Sequence, residues 1–305
     1  MVNRVVDPTL SQYARGYVQS NHVGSTLFPL APVPTSQGKV IEFGKEAFRR
    51  YNSRHAPGSD VKKIEFGMFG KSYQLIDHAL DVSIPEEFEI DCTHIKVDTL
   101  LRGTNIVMSS MTLALEIEQA EIATDPYAYN SDHKTSVSGS DKWSDPASKP
   151  IVQLRDSIEV VRRSIGIRPN VAMFSASAFA AFEENVSVID RFKQSSPVIT
   201  TDIVASLLRL EKVVIGEAVY ADDKDDFVDV WGNNVILSYS PIPTQGVTIG
   251  VEQPSFGYTY YYKDHPFVHK PIFDHNKRSW VCGVTYRRIP VLTGISAGFL
   301  IQNPA

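Results

Sequence analysis

Apolar positions along the chain change period several times, and each change marks a different element. Between residues 61 and 75, Ile64, Phe66 and Met68 alternate with Lys63, Glu65 and Gly67, the two-residue period of a half-buried strand. A second strand-like run occupies 39–48, and the turn-rich stretch from His55 to Asp60, with Pro57 and Gly58, separates the two. The pattern predicts a long hairpin over 37–79. An isolated two-stranded ribbon is marginal in water, so such a hairpin needs another surface to lie on. Over 103–123 the period becomes helical: Met108, Met111, Leu115 and Ile122 share a stripe, with Leu113, Ile117 and Ala120 beside it. Glu116, Glu118 and Glu121 fall on the expected polar side of a helix about 30 Å long.

Residues 124–148 are polar and read as a loop and a unit boundary. A second helix is expected to start at Pro150 and to run through Ile151, Leu154, Ile158, Val161 and Ile165 to a stop at Gly166. Strands expected at 171–174, 212–220 and 235–239 alternate with two short helices. One of these bears Phe179 and Phe182; the other bears Val204, Leu207 and Leu208 behind a cap at Thr201. With a turn at 231–234, these make a compact α/β layer over 149–245. The remainder is strand-like at 247–249, 257–262, 279–287 and 299–301. The first 36 residues differ from all of this. Pro8, Pro29, Pro32 and Pro34 interrupt them, and Leu27, Phe28, Leu30 and Val33 lie among those prolines. They predict an extended arm lying along its own chain or a neighbour's.

Charge sharpens the picture. Thirty basic against 35 acidic residues give a net charge of −5, which disfavours a protein whose main task is gripping nucleic acid. The distribution is uneven: residues 39–71 hold eight basic and four acidic side chains, residues 72–100 one basic and seven acidic. Arg49, Arg50, Arg54, Lys62 and Lys63 are therefore candidates for contacts with a neighbouring subunit, and Glu86, Glu87 and Glu89 are candidates for their acidic counterparts. Cys92 and Cys282 are too isolated to form a disulfide framework and read as buried free thiols of a reducing cytoplasm. The N-terminal residues show no signal peptide, and no apolar run reaches the roughly 20 residues that cross a bilayer. A soluble protein made in a cytoplasm, with no membrane partner, is expected.

Candidate chemistry changes little. Residues 294–298 fit G-x-S-x-G, but Ser296 would need a histidine and an acid further along the chain, and neither occurs after it. A glycine-bracketed turn is the better reading. His265, His269 and His275 with Asp264 and Asp274 could be drawn as a metal site, yet Pro266 and Pro271 argue against the helix that would align them. Asp222, Asp223, Asp225, Asp226 and Asp229 lack the spacing and central glycine of a calcium loop and predict a solvated loop. No catalytic, cofactor or metal residue is expected, and no enzyme.

Certain short stretches recur in an order that carries a resemblance. They are Asp7-Pro8, Leu27-Phe28-Pro29, the Ala56-Pro57-Gly58 tip, and the long helix before Ala123-Thr124-Asp125. Arg155-Asp156, Gly166-Ile167-Arg168-Pro169-Asn170, the strand-like 212–220 and Trp231-Gly232 come next. Pro254-Ser255-Phe256-Gly257-Tyr258 and Gly298-Phe299-Leu300-Ile301 end the series. The chain thereby resembles, over nearly its whole length, the major capsid proteins of tailed double-stranded DNA bacteriophages. Their α+β Hong Kong 97-type fold is shared by encapsulins. The resemblance implies an N-arm (1–36), an extended E-loop (37–79) and a peripheral domain (80–148 and 246–305) with a spine helix at about 103–123. It implies an axial domain over 149–245 inserted into the peripheral one. It further implies hexamers and pentamers of an icosahedral shell around DNA, a virion component assembled in the host bacterial cytoplasm, with the acidic 222–226 loop near a capsomer axis.

Partners implied are other copies of the chain, a portal, a decoration protein and non-specifically held double-stranded DNA. A scaffolding protein is expected to be separate, since the N-arm begins at once. An encapsulin-type compartment around a cargo enzyme is the alternative. The lysine and asparagine that some members crosslink have no motif match here.

Overall fold

A computed structural model describes residues 6–40, 72–88, 98–192, 198–242 and 255–305. The expectations placed on Arg49, Arg50, Arg54, Lys62, Lys63, Glu89, Cys92 and 247–249 lie outside the described residues.

The arm is not simply extended. Asp7 accepts hydrogen bonds from the Thr9 and Leu10 amides, both at 3.0 Å, and with Pro8 in the first turn it nucleates helix α1, Pro8–Arg15. A short helix α2, Gly24–Leu27, follows, then strand β1, Leu30–Val33. Strands β2, Gln37–Lys39, and β3, Ser72–Gln74, pair antiparallel with Lys39 opposite Ser72. Strand β4 is Ile76–Pro85. The long helix α3 spans Thr99–Thr124, longer at its start than the apolar period predicts because Asp98 accepts from the Leu101 amide at 3.0 Å and caps it there.

After strand β5, Lys134–Ser136, comes helix α4, Pro150–Ile165, which ends where Gly166 takes φ 72°, a left-handed stop that suits glycine. Strand β6, Val171–Ser175, leads to helices α5, Ala176–Glu184, α6, Val186–Phe192, and α7, Thr201–Leu208. The cap position of α7 is Thr200, with no side-chain bond, so Thr201 is its first helical residue rather than its cap. The single strand expected over 212–220 divides into β7, Lys212–Gly216, and β8, Val219–Ala221. The division has a plain cause: β7 pairs with β6, whereas β8 leaves that sheet to pair with β9, Phe227–Asp229. Strands β10, Asn234–Ser238, β11, Gly257–Tyr262, β12, Phe267–Val268, β13, Ile272–Asp274, β14, Ser279–Leu292, and β15, Gly298–Gln302, complete the order.

Two sheets carry the fold. In the first, β4 pairs along one side of β14, while β13, β12 and β11 share its other side. β1 adds parallel to β11, so the described arm lies on its own chain. α3 packs Val107, Met108, Met111 and Leu115 against Val268, Cys282, Val284 and Tyr286, and Leu10 and Ala14 of α1 join the same cluster. In the second sheet the order is β5-β15-β10-β6-β7. Its β6, β7 and β10 come from within 149–245, and β5 and β15 come from outside that span.

Both faces of the second sheet are covered. Ala172, Phe174, Val235, Leu237 and Ile301 point into one cluster with Leu154, Ile158 and Phe182 of the helices. Val171, Met173, Ile236 and Leu300 point the other way, toward Leu27, Phe28, Ala120 and Ala123. The period of two thus sorts residues between two cores rather than between core and water. The second core joins the arm, the end of α3 and the α/β layer.

Replacing Leu115 by Ala should lower the unfolding free energy by roughly 2–5 kcal/mol, because its site in the α3–β14 cluster cannot collapse fully. Urea unfolding measures this, and an unchanged midpoint would show that the stripe does not face a packed core.

Candidate assembly surfaces and the node behind them

Glu116, expected on the polar side of α3, is only 2% exposed. Its Oε1 accepts from the Val23 amide at 2.9 Å, the Gly24 amide at 3.0 Å and Trp231 Nε1 at 2.8 Å, and Oε2 also receives Gly24 at 3.0 Å. One carboxylate therefore ties the start of α2, the middle of α3 and the residue that closes the β8–β9 hairpin. Gly24 is required by close approach: a Cβ there would stand 2.1 Å from Gln119 Oε1 and 2.8 Å from Glu116 Oε2. Gln119 also donates to Thr259 Oγ1 at 2.8 Å, which extends the tie to the first sheet. Trp231 is fully buried over Gly216, where an added Cβ would meet its ring at 2.4 Å. Burial pushes the Glu116 carboxyl above the ordinary carboxylate range, outweighing the donors that pull it down.

Glu118, also assigned to the polar side, is engaged as well. The fully buried Arg288 holds it through Nη1 at 2.5 Å and Nη2 at 3.2 Å, and Nη2 reaches the Met111 carbonyl at 3.4 Å. This pair fastens α3 to the middle of β14.

Of the acidic candidates, Glu86 meets Arg278 of its own chain at 3.2 Å in an exposed pair, and Glu87 is exposed. A pair so open to water is weak and readily exchanged. β4 pairs only with β14 among the described residues, which leaves a ten-residue edge open. Exposed Ile76, Leu80, Ile106 and Ile272 lie on elements of this same layer. Arg287 holds Asp77, with Nη2 2.6 Å from Oδ2.

Ser296 sits in a short 3-10 turn between β14 and β15. His265 Nδ1 accepts from the Arg287 amide at 3.0 Å, and His269 Nε2 bonds Thr285 Oγ1 at 3.0 Å. Asp222 accepts from the Lys224 and Asp226 amides and so shapes a tight solvated tip between β8 and β9. Cys282 is a buried free thiol, raised above its ordinary pKa by desolvation. None of the described helices is long and apolar enough to cross a membrane.

The layered α+β arrangement is found in protein shells. A chain of the satellite phage P4 procapsid (covering 99% of this chain and 93% of that one) and an encapsulin of Synechococcus elongatus PCC 7942 (98% and 96%) each superpose with a TM-score of 0.55. Both are 12% identical, so the likeness is one of fold alone. A crystal structure of a phage-related protein from Bordetella bronchiseptica RB50 is much nearer, with 42% identity, a TM-score of 0.84 and coverage of 99% and 98%. The major capsid protein of Burkholderia phage BcepMu is 31% identical over 98% of this chain and 97% of its own length. No family model matches the chain. On the whole-length match, the chain belongs to the bacteriophage major capsid proteins, structural components of the virion.

The raised pKa of Glu116 has a definite sign for stability. A carboxyl that holds its proton more tightly when folded contributes fully below the ordinary carboxylate range, and that contribution is lost as pH rises through the raised value. Glu116→Gln should remove this loss while keeping an acceptor, so its stability relative to wild type should rise as pH increases above the ordinary carboxylate range. Glu116→Ala strands three buried donors and should cost about 3 kcal/mol or more throughout. Urea unfolding of the three proteins across pH checks both, and parallel curves for wild type and the Gln variant would show that Glu116 does not titrate as described.

Proposed function

We propose that this chain builds the hexamers and pentamers of an icosahedral head that encloses double-stranded DNA. The Hong Kong 97-type division of labour assigns residues 1–36 to an N-arm, 37–79 to an E-loop, 80–148 with 246–305 to a peripheral domain, and 149–245 to an axial domain. The observation that carries the reading is the β2–β3 pair. Lys39 stands opposite Ser72, so the two ends of the basic stretch between them are held side by side. A segment held in that way can reach a neighbour while its base stays fixed. The acidic residues that follow, Asp81 and Glu87 among them, offer a target of opposite sign on the next copy. Many modest contacts of this kind, repeated by symmetry, would give a stable particle.

Assembly in the host cytoplasm with a separate scaffolding protein, a portal and a decoration protein belongs to the same reading. With a net charge of −5, DNA is confined rather than gripped, and the affinity of the subunit for it should be weak, sequence-independent and steeply reduced by salt. An encapsulin-type shell shares the fold; purified particles that contain a cargo enzyme instead of DNA would favour it.

The triple variant Arg49→Glu, Arg50→Glu, Arg54→Glu should remain folded yet fail to form shells in electron micrographs at moderate salt. Normal shells from that variant would refute the role given to the hairpin.

A further inference from the structure

Strands β8 and β9 form a two-stranded ribbon that pairs with no other described strand. The register sets Val219 opposite Asp229 and Ala221 opposite Phe227, so these four share one face. That face is open: Phe227 is 79% exposed and Val219 44%. Ribbons with such short strands are marginal in water unless something covers them. The base, however, is fixed, since the Val230 amide donates to the Ala218 carbonyl at 2.9 Å and Trp231 is locked to Glu116. At the tip, Asp223, Asp225 and Asp226 are exposed beside the single cation Lys224, and the tip carboxylates form no ion pair among the described residues.

A surface of opposite sign lies at the other end of the same edge strand. The ribbon leaves the C-terminal end of β7, whose five residues span about 16 Å. At the N-terminal end of β7 are the exposed side chains of Arg155, Arg163, Arg209 and Lys212. Arg168, just beyond α4, donates to the Leu208 carbonyl at 2.8 Å and anchors the end of α7, while the exposed Arg155 of α4 reaches the Leu207 carbonyl only at 3.5 Å. The acids nearby do not balance this group: Glu159 is taken by Arg162 at 2.8 Å, and Asp156 and Glu211 remain. Because the acidic tip and the basic end lie at opposite ends of one strand, a single chain cannot bring them together. A second copy related by rotation can. Joining two different surfaces head to tail generates a ring when the rotation closes.

We propose that the 219–229 ribbon of one copy docks on the arginine-rich end of α4 and α7 in the next copy. Phe227 and Val219 cover their open face there, and Asp223, Asp225 and Asp226 meet Arg155, Arg163 and Arg209. This rests on the shell-subunit reading and deepens it by naming the two surfaces that close a capsomer.

The test uses the full chain in three forms: Asp223→Lys with Asp226→Lys, Arg163→Glu with Arg209→Glu, and all four changes together. Ring and shell yield is read by electron microscopy and sedimentation, and folding by circular dichroism and thermal unfolding. Each paired reversal should stay folded and lower the yield on the order of tenfold at low salt, and the fourfold variant should recover it. Phe227→Ser should also lower the yield without lowering thermal stability. If wild type assembles and both paired reversals assemble equally well, the docking is wrong while the shell reading stands. A fourfold variant that stays folded but as impaired as its parents would equally overturn the pairing. If wild-type chains never leave the monomeric state, even with a scaffolding protein present, the shell reading itself falls.

Discussion

The carboxylate of Glu116 is the point through which the rest of the architecture is fixed. A buried carboxylate is costly unless donors surround it, and here two backbone amides and an indole supply them. Each donor belongs to a segment far away in sequence, so none of the three segments can shift without stranding the others. The arm turn at Val23 and Gly24 is held down on α3. Trp231 is held on the same helix, and because its ring fills the space above Gly216, the base of the β8–β9 ribbon is aimed by the same group. Local polar chemistry on one helix thus sets the position of a surface ribbon that follows the edge strand of the second sheet.

Arg288 and Glu118 do a related job closer to the first sheet. β14 is paired on both sides along much of its length, and a fully buried guanidinium from its middle reaches up to α3. Removing Glu118 would leave the buried guanidinium with neither water nor its carboxylate, which is why such a pair specifies geometry more than it adds stability. Two of the three glutamates on the expected polar side of α3 are therefore internal fasteners. The helix is covered by the first sheet on one side, by the arm on another and by the second sheet at its C-terminal end.

That covering explains which parts of the fold were legible in the sequence. α4 could be read almost completely, because it buries one stripe and shows the other to water: Ile151, Leu154, Ile158 and Val161 are all buried, and Gly166 ends the helix. The strands at 235–239, 257–262 and 299–301 were legible from dense apolar runs. Glu116 was not, since periodicity assigns a glutamate to solvent and only the distant Gly24 and Trp231 reveal its partners. α1 escapes the apolar pattern even though Asp7-Pro8 is a capping signal, because a proline interrupts most helices and suits only their first turn. The partition of strands between the two sheets is set by pairings such as β10 with β15, which no local pattern contains. Of the candidate contact residues only Glu86 and Glu87 fall within the described parts, and Glu86 already has Arg278.

The way charge is spent inside the subunit bears on how copies can meet. Buried charges are matched within the chain, as at Arg288 with Glu118, so they are unavailable to neighbours and their geometry is set before assembly. Exposed charges are instead segregated by sign, with an acidic tip at one end of β7 and a basic cluster at the other, and the sequence sets a basic stretch at 39–71 ahead of an acidic one at 72–100. Separation of this kind penalises the approach of identical patches, because like meets like, and favours contacts between different patches. Two-fold docking of one patch on itself is thereby disfavoured relative to head-to-tail contact. Each such contact is weak in water, and a contact that is weak alone but repeated around a ring lets a misplaced subunit leave before closure while the closed ring holds. Rigid internal fastening and weak, signed surfaces are thus two halves of one requirement: a shell subunit must have a fixed shape and must bind its neighbours only in register.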